Sequence, residues 1–162
     1  MKRALACLRV EAGQSMVELA LLLPVIAVGL IGGADLARAF ALQMAVQNGA
    51  RAGAEAYAID FTPTKSAAIS RALDEMTRTP GMAWNCTLNP AGDTCSDPSI
   101  PGTVTIRLAQ ADGTTPCISP PTVLTPCFVT VQVQYTYRTI APWPMVPNVA
   151  NFDRSTTMRT FY

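Results

Sequence analysis

The residues of this chain that could take part in chemistry are few, and they fall into two groups. The first sits near the N-terminus, where Gly13-Gln14 is followed by Glu18 inside the run GQSMVELALLLPVIAVGLIGG. A carboxylate at membrane depth costs about 3 kcal/mol or more, so Glu18 calls either for a hydrated position at headgroup level or for a positively charged partner. The second group is Cys86, Cys95, Cys117 and Cys127. Four cysteines allow three pairings, of which Cys86-Cys95 with Cys117-Cys127 closes the most local loops. A zinc site would be the rival use, but C-x8-C and C-x9-C are not knuckle spacings. Asp74-Glu75 suggests acid chemistry only until the helix is considered. Adjacent helical residues diverge in direction, and Arg71 and Arg78 stand nearby, so the pair reads as a solvated face.

What is missing narrows the function further. The 162 residues include no histidine, which removes the commonest general base and metal ligand. There is no phosphate loop, nucleophile elbow or basic aromatic patch, and a net charge of +1 offers no field for nucleic acid. An enzyme is not expected, and neither is a cofactor or a metal.

The element that must position Glu18 is a helix. Leu19 to Ala34 carries no charge, and from Met16 the run is nineteen residues, about 28 Å as a helix. That nearly matches the ~30 Å hydrocarbon core, so one spanning helix is expected. Lys2, Arg3 and Arg9 precede it, against Glu11, while Asp35 and Arg38 cancel after it. The positive-inside rule then places the N-terminus in the cytoplasm and the rest outside. A cleaved secretory signal is the alternative, since Ala37-Arg38-Ala39 has the form of a signal peptidase site. Pro24 within the run and the Ala-rich continuation past Ala39 favour one persistent helix. Pro24 should loosen it at the Ala20 carbonyl. Gly29 and Gly33 form one small-xxx-small pair and Gly49 and Gly53 another, a surface suited to helix packing. Beyond the bilayer the helix is expected to continue as a stalk to about Asp60, with Arg51 and Glu55 one turn apart and free to pair.

Thr62-Pro63 signals the start of a second helix, with Ile69, Ala72, Leu73 and Met76 on one face and Thr79-Pro80-Gly81 as its stop. From Trp84 onward the pattern is of strands and loops. Val104, Ile106 and Leu108 alternate with polar residues, and FVTVQVQYTY puts Val129, Val131, Val133, Tyr135 and Tyr137 on one face. Ser155 to Tyr162 reads as a last strand, joined through the stiff connector APWPMVP, whose Trp143 is expected to fold onto the sheet. Cys7 precedes the apolar run, whereas the other four cysteines lie in the part expected outside, where an oxidising compartment permits disulfides.

Gly13-Gln14-Ser15-Met16-Val17-Glu18-Leu19-Ala20-Leu21-Leu22-Leu23-Pro24 resembles the signature of TadE-like proteins, minor pilins (pseudopilins) of the tight-adherence machinery, a branch of the type IV pilus and type II secretion systems. Ala45-Val46-Gln47-Asn48-Gly49-Ala50-Arg51-Ala52-Gly53-Ala54 is similar to the family's second block, and Val129–Tyr137 with Ser155–Arg159 is more loosely similar to its tails. Glu55 departs from the small or basic residue common there. The resemblance implies that a membrane-embedded prepilin peptidase cuts between Gly13 and Gln14. It further implies that the new amine at Gln14 pairs with Glu18 of a neighbouring subunit. The implied partners are other pilins or pseudopilins and the pilus assembly platform in the inner membrane, with no nucleic acid.

The expected architecture is α+β: a long N-terminal transmembrane and stalk helix, a second short helix, and a small antiparallel β-sheet stapled by disulfides. Its expected parts are a cytoplasmic leader (1–13), a transmembrane helix (14–34), a helical stalk (35–60) and a periplasmic α+β domain (61–162). The expected function is structural, in pilus assembly. A membrane-anchored extracytoplasmic binding module or adhesin is the alternative, and a secreted hydrolase has no constellation to support it.

Overall fold

The computed structural model describes residues 2–118, 121–142 and 147–161, with side chains from Gly13 onward. The core of the APWPMVP connector, including Trp143, lies outside the described residues, as does Tyr162. The chain forms two compact units, Met1–Arg38 and Ala39–Tyr162. The class is α+β: two helices and a five-stranded antiparallel sheet with two disulfides.

Helix α1 covers Lys2–Ile59 and stays helical through Pro24. Within the first unit its apolar side chains are exposed; Leu21 and Leu30 are 72% and 70% exposed. A helix that is apolar all round and covered by nothing in its own unit has the character of a membrane span.

The second unit is built on a stripe of α1 at four-residue spacing. Leu42, Val46, Ala50, Ala54 and Ala58 are all buried, one turn after another on one face. Helix α2 (Lys65–Thr77) turns Ala68, Ile69, Ala72 and Met76 into the same core. The residues expected to form a stalk are therefore, from Ala39 onward, the central helix of a packed unit. Ala45, Ala50, Ala54 and Ala58 are covered by the chain's own sheet and second helix.

Helix α2 begins two residues later than the Thr62-Pro63 signal implies. Its N-cap is Thr64, in extended conformation, whose hydroxyl accepts the amide of Ala67 at 3.2 Å. Thr62 instead donates its amide to Asp60 Oδ1 at 3.2 Å, so it belongs to the interhelical turn. After α2 the chain reverses at Gly81, whose φ of 88° favours glycine.

The sheet is a meander in the order β1 (Thr87–Leu88), β2 (Thr94–Asp97), β3 (Ile100–Ala109), β4 (Phe128–Arg138) and β5 (Val149–Arg159). Every pairing is antiparallel. In β4 the expected inner face is the buried one: Val129, Val131, Val133, Tyr135 and Tyr137. Val104 and Ile106 lie opposite Val133 and Val131 and complete it. Trp84 is buried and stacks on Tyr135 at 6.4 Å between ring centroids. It can do so because Gly102 lacks a side chain: a Cβ there would stand 2.6 Å from the indole. Strand β5 begins six residues before the expected Ser155. Its sequence, VANFDRSTTMR, has a poor apolar alternation, and its strand conformation follows from eleven consecutive pairings with β4.

Candidate functional site

The candidate site is the leading part of α1. Gly13 lies within the helix, and nothing stands within 4 Å of where its side chain would be. Gln14 and Glu18 are one turn apart, and the Gln14 amide donates to Glu18 Oε1 at 3.4 Å, a long and exposed bond. No cation pairs with Glu18 among the described residues. The carboxylate is thus open to an external partner, and the space beside the Gly13 Cα is open. Cutting the peptide bond after Gly13 would require the first turns to unwind, which glycine makes easier by roughly 0.5–1 kcal/mol relative to alanine.

The two glycine pairs have different environments. Around Gly29 and Gly33 there is open space. Gly49 and Gly53 are closely packed: a Cβ on Gly49 would meet Met76 Cγ at 2.5 Å, and one on Gly53 would meet Ala68 O and Ala72 Cβ at 3.0 Å. The second pair lets α1 and α2 approach within the unit. Only the first pair is left open. Pro24, five residues before Gly29, lies inside the helix, where it removes one amide donor and frees the Ala20 carbonyl.

Arg51 and Glu55 are both exposed, yet no ion pair between them is present among the described residues; Arg78 pairs with Glu75 at 3.2 Å. Glu75 therefore does belong to a solvated, salt-bridged face. No group of three or more Cys, Asp or Glu side chains among the described residues is placed to hold a metal ion.

The cysteines pair as Cys86–Cys95 and Cys117–Cys127, with Cα separations of 5.7 and 5.4 Å. The first ties the segment before β1 to β2; the second closes the β3–β4 connection at the start of β4. A residue that the sequence reading passed over supports the first bridge. Asp97, at the end of β2, is buried and accepts the amide of Asn85 at 2.7 Å and both the amide and hydroxyl of Ser99. These bonds, that of the Ser99 hydroxyl foremost, hold its carboxyl below the ordinary aspartate range. The local signal was Asp97-Pro98-Ser99, a turn former whose acid can bond the backbone two residues on.

From Gly13 to Glu55 the chain matches the family model described as TadE-like protein. Over this segment the chain is TadE-like. No curated protein and no solved structure matches it. The match runs through both parts of α1, the open apolar part and the part packed in the second unit. A TadE-like protein is associated with the tight-adherence pilus, and proteins of that kind are structural. From Gly13 onward α1 contains a window of mean hydropathy 2.2, long and apolar enough to cross a membrane once. The TadE-like segment is thus compatible with a single-pass anchor.

Proposed function

We propose that the protein is a minor pilin, or pseudopilin, that takes part in building a tight-adherence pilus by packing its N-terminal helix against those of other pilins. In this reading residues 1–13 are a cytoplasmic leader removed by a prepilin peptidase, and residues 14–34 span the inner membrane. Residues from 35 onward, helical to 60 and α+β from 61 to 162, lie in the periplasm. The observation that supports it best is the open face of Gly29 and Gly33, set in an exposed apolar helix, while the equivalent pair Gly49 and Gly53 is already covered. The two disulfides agree with an oxidising compartment for the second unit. Glu18, which has no cationic partner among the described residues, would pair with the amine of a processed neighbour, since a buried carboxylate is stable only when paired.

The experiment is a comparison of wild type with Glu18→Gln in cells making the rest of the machinery. Mass spectrometry should find both mature chains beginning at Gln14. Co-purification with partner pilins should fall at least severalfold for Glu18→Gln, because an unpaired buried charge costs about 3–5 kcal/mol. A mature chain beginning at Phe40 would make the protein a simple secreted domain. A fully processed Glu18→Gln chain with wild-type partner yield would remove the charge-pairing step.

A further inference from the structure

The outer face of the sheet, away from the helices, ends in a cavity of about 460 Å³ beside the β3–β4 connection. That is within the range of small-ligand sites, roughly 300–1,000 Å³. The register of three strands makes its floor. Arg107 on β3 lies opposite Thr130 on β4, and Thr130 lies opposite Thr157 on β5. The two hydroxyls are 2.8 Å apart. One step along, Phe128 sits half-buried between Ala109 and Arg159. The wall is the turn after β3. There Asp112 accepts the amides of Thr114 and Thr115 at 3.1 and 2.9 Å and both of their hydroxyls. Gln110, which also lines the cavity, donates its side-chain amide to the Pro116 carbonyl at 3.3 Å.

We propose that this cavity binds a uronic acid residue of an acidic polysaccharide, with Arg107 taking the carboxylate and Phe128 the apolar face of the ring. Arg107 is exposed and has no acidic partner among the described residues. Its planar fork of N–H donors matches a carboxylate in two parallel bonds. The C–H face of a pyranose fits against an aromatic ring, whose face carries negative charge. The remaining polar groups suit hydroxyls. Thr130 and Thr157 can donate and accept and Gln110 Oε1 can accept, whereas both Asp112 oxygens are already bonded within the turn. Phe128 decides against a simple inorganic anion, which would take the guanidinium but has no apolar face to lay on the ring. A neutral sugar would leave the guanidinium without its counterpart. Farther along the face Gln132 and Gln134 both donate to Asp153, at 2.9 and 3.0 Å, so the surface leading from the cavity is one of amides and hydroxyls. The site is independent of helix assembly, so either reading can fail without the other.

The test is titration calorimetry on the full-length protein in detergent micelles, with trigalacturonate, maltotriose and inorganic phosphate as probes. Trigalacturonate should bind saturably, and neither maltotriose nor phosphate should displace it at equal concentration. Arg107→Gln should weaken binding about ten- to a hundredfold, the loss expected for a charge-assisted pair. Arg107→Lys, which keeps the charge without the fork, should fall between the two. Arg71→Gln, which removes an exposed arginine on α2, should bind as wild type. Absence of saturable trigalacturonate binding would overturn the proposal. So would equal losses in Arg107→Gln and Arg71→Gln, which would signify only a general charge effect, or displacement by phosphate at equal concentration.

Discussion

Three aspartates carry much of the local order in the second unit, and each does so by accepting hydrogen bonds. Asp97 fixes the Asn85 backbone beside Cys86, Asp112 shapes the turn after β3, and Asp153 receives Gln132 and Gln134 across the β4–β5 pair. In all three the accepted hydrogen bonds lower the carboxyl pKa, Asp112 most of all. A carboxyl depressed in the folded state contributes stability above its unfolded pKa, about 3.9, and that contribution is lost as pH falls toward the folded value. Thermal melts should therefore be nearly flat from pH 7 down to about pH 5 and lose stability below about pH 4. Asp97→Asn, which cannot ionise, should flatten part of that acid limb. An acid limb unchanged in Asp97→Asn would show that this carboxylate does not contribute to it. Glu18 belongs to a different class: among the described residues it accepts one long bond, from Gln14, and the role proposed for it depends on a neighbouring subunit.

At the scale of elements, the same small-residue spacing has two outcomes on one helix. Gly49 and Gly53 lie where Met76, Ala68 and Ala72 of α2 come against α1, whereas Gly29 and Gly33 meet nothing. Gly53→Leu should therefore lower the stability of the second unit by about 1–3 kcal/mol, the usual cost of overpacking a filled contact. It should be seen as a lower melting temperature with the protein still in the membrane fraction. Gly29→Leu should leave that melt unchanged and reduce crosslinking to partner pilins. Equal melts for both variants would contradict the close approach of α1 and α2; equal crosslinking yields would contradict a packing role for Gly29. The spacing alone could not separate the two pairs, since GxxxG records only that a backbone is able to come close. The same holds for α2, where Thr62-Pro63 and Thr64 both have capping chemistry and only Thr64 is within reach of Ala67.

For the whole molecule, the second unit combines a small core with two covalent staples. Each disulfide closes a loop of about ten residues, for which removal costs about 2–5 kcal/mol. Cys117→Ser with Cys127→Ser should lower the melting temperature by that equivalent and free the β3–β4 connection, while Cys86→Ser with Cys95→Ser should also loosen β1 and the Asp97 bonds. Non-reducing peptide mapping of wild type should recover Cys86–Cys95 and Cys117–Cys127. Any other pairing would contradict the local geometry, in which only these partners lie at bonding separation.

By itself the sequence determined the features that depend on near neighbours in the chain. A run of apolar residues long enough to span a bilayer, the Gly13-to-Glu18 spacing, the alternation in β4 and the helical face of α2 are all local patterns, and each is set by a backbone period of its own. The alanine stripe of α1 was equally visible, but not its use. A stripe states that something packs there, and only the return of α2 and the sheet onto Leu42, Val46, Ala50 and Ala54 decided that it was this chain. Strand β5 shows the same limit from the other side: VANFDRSTTMR has little intrinsic preference to be extended over its full length, and the unpaired edge of β4 makes it a strand. The cavity beside Arg107 was hidden altogether, because Arg107, Thr130 and Thr157 lie far apart in sequence and become neighbours only through the register of three strands. Local periodicity acts over a few residues at a time. Packing, edge pairing and the cavity depend on contacts between segments separated by tens of residues, and only the tertiary structure fixes those.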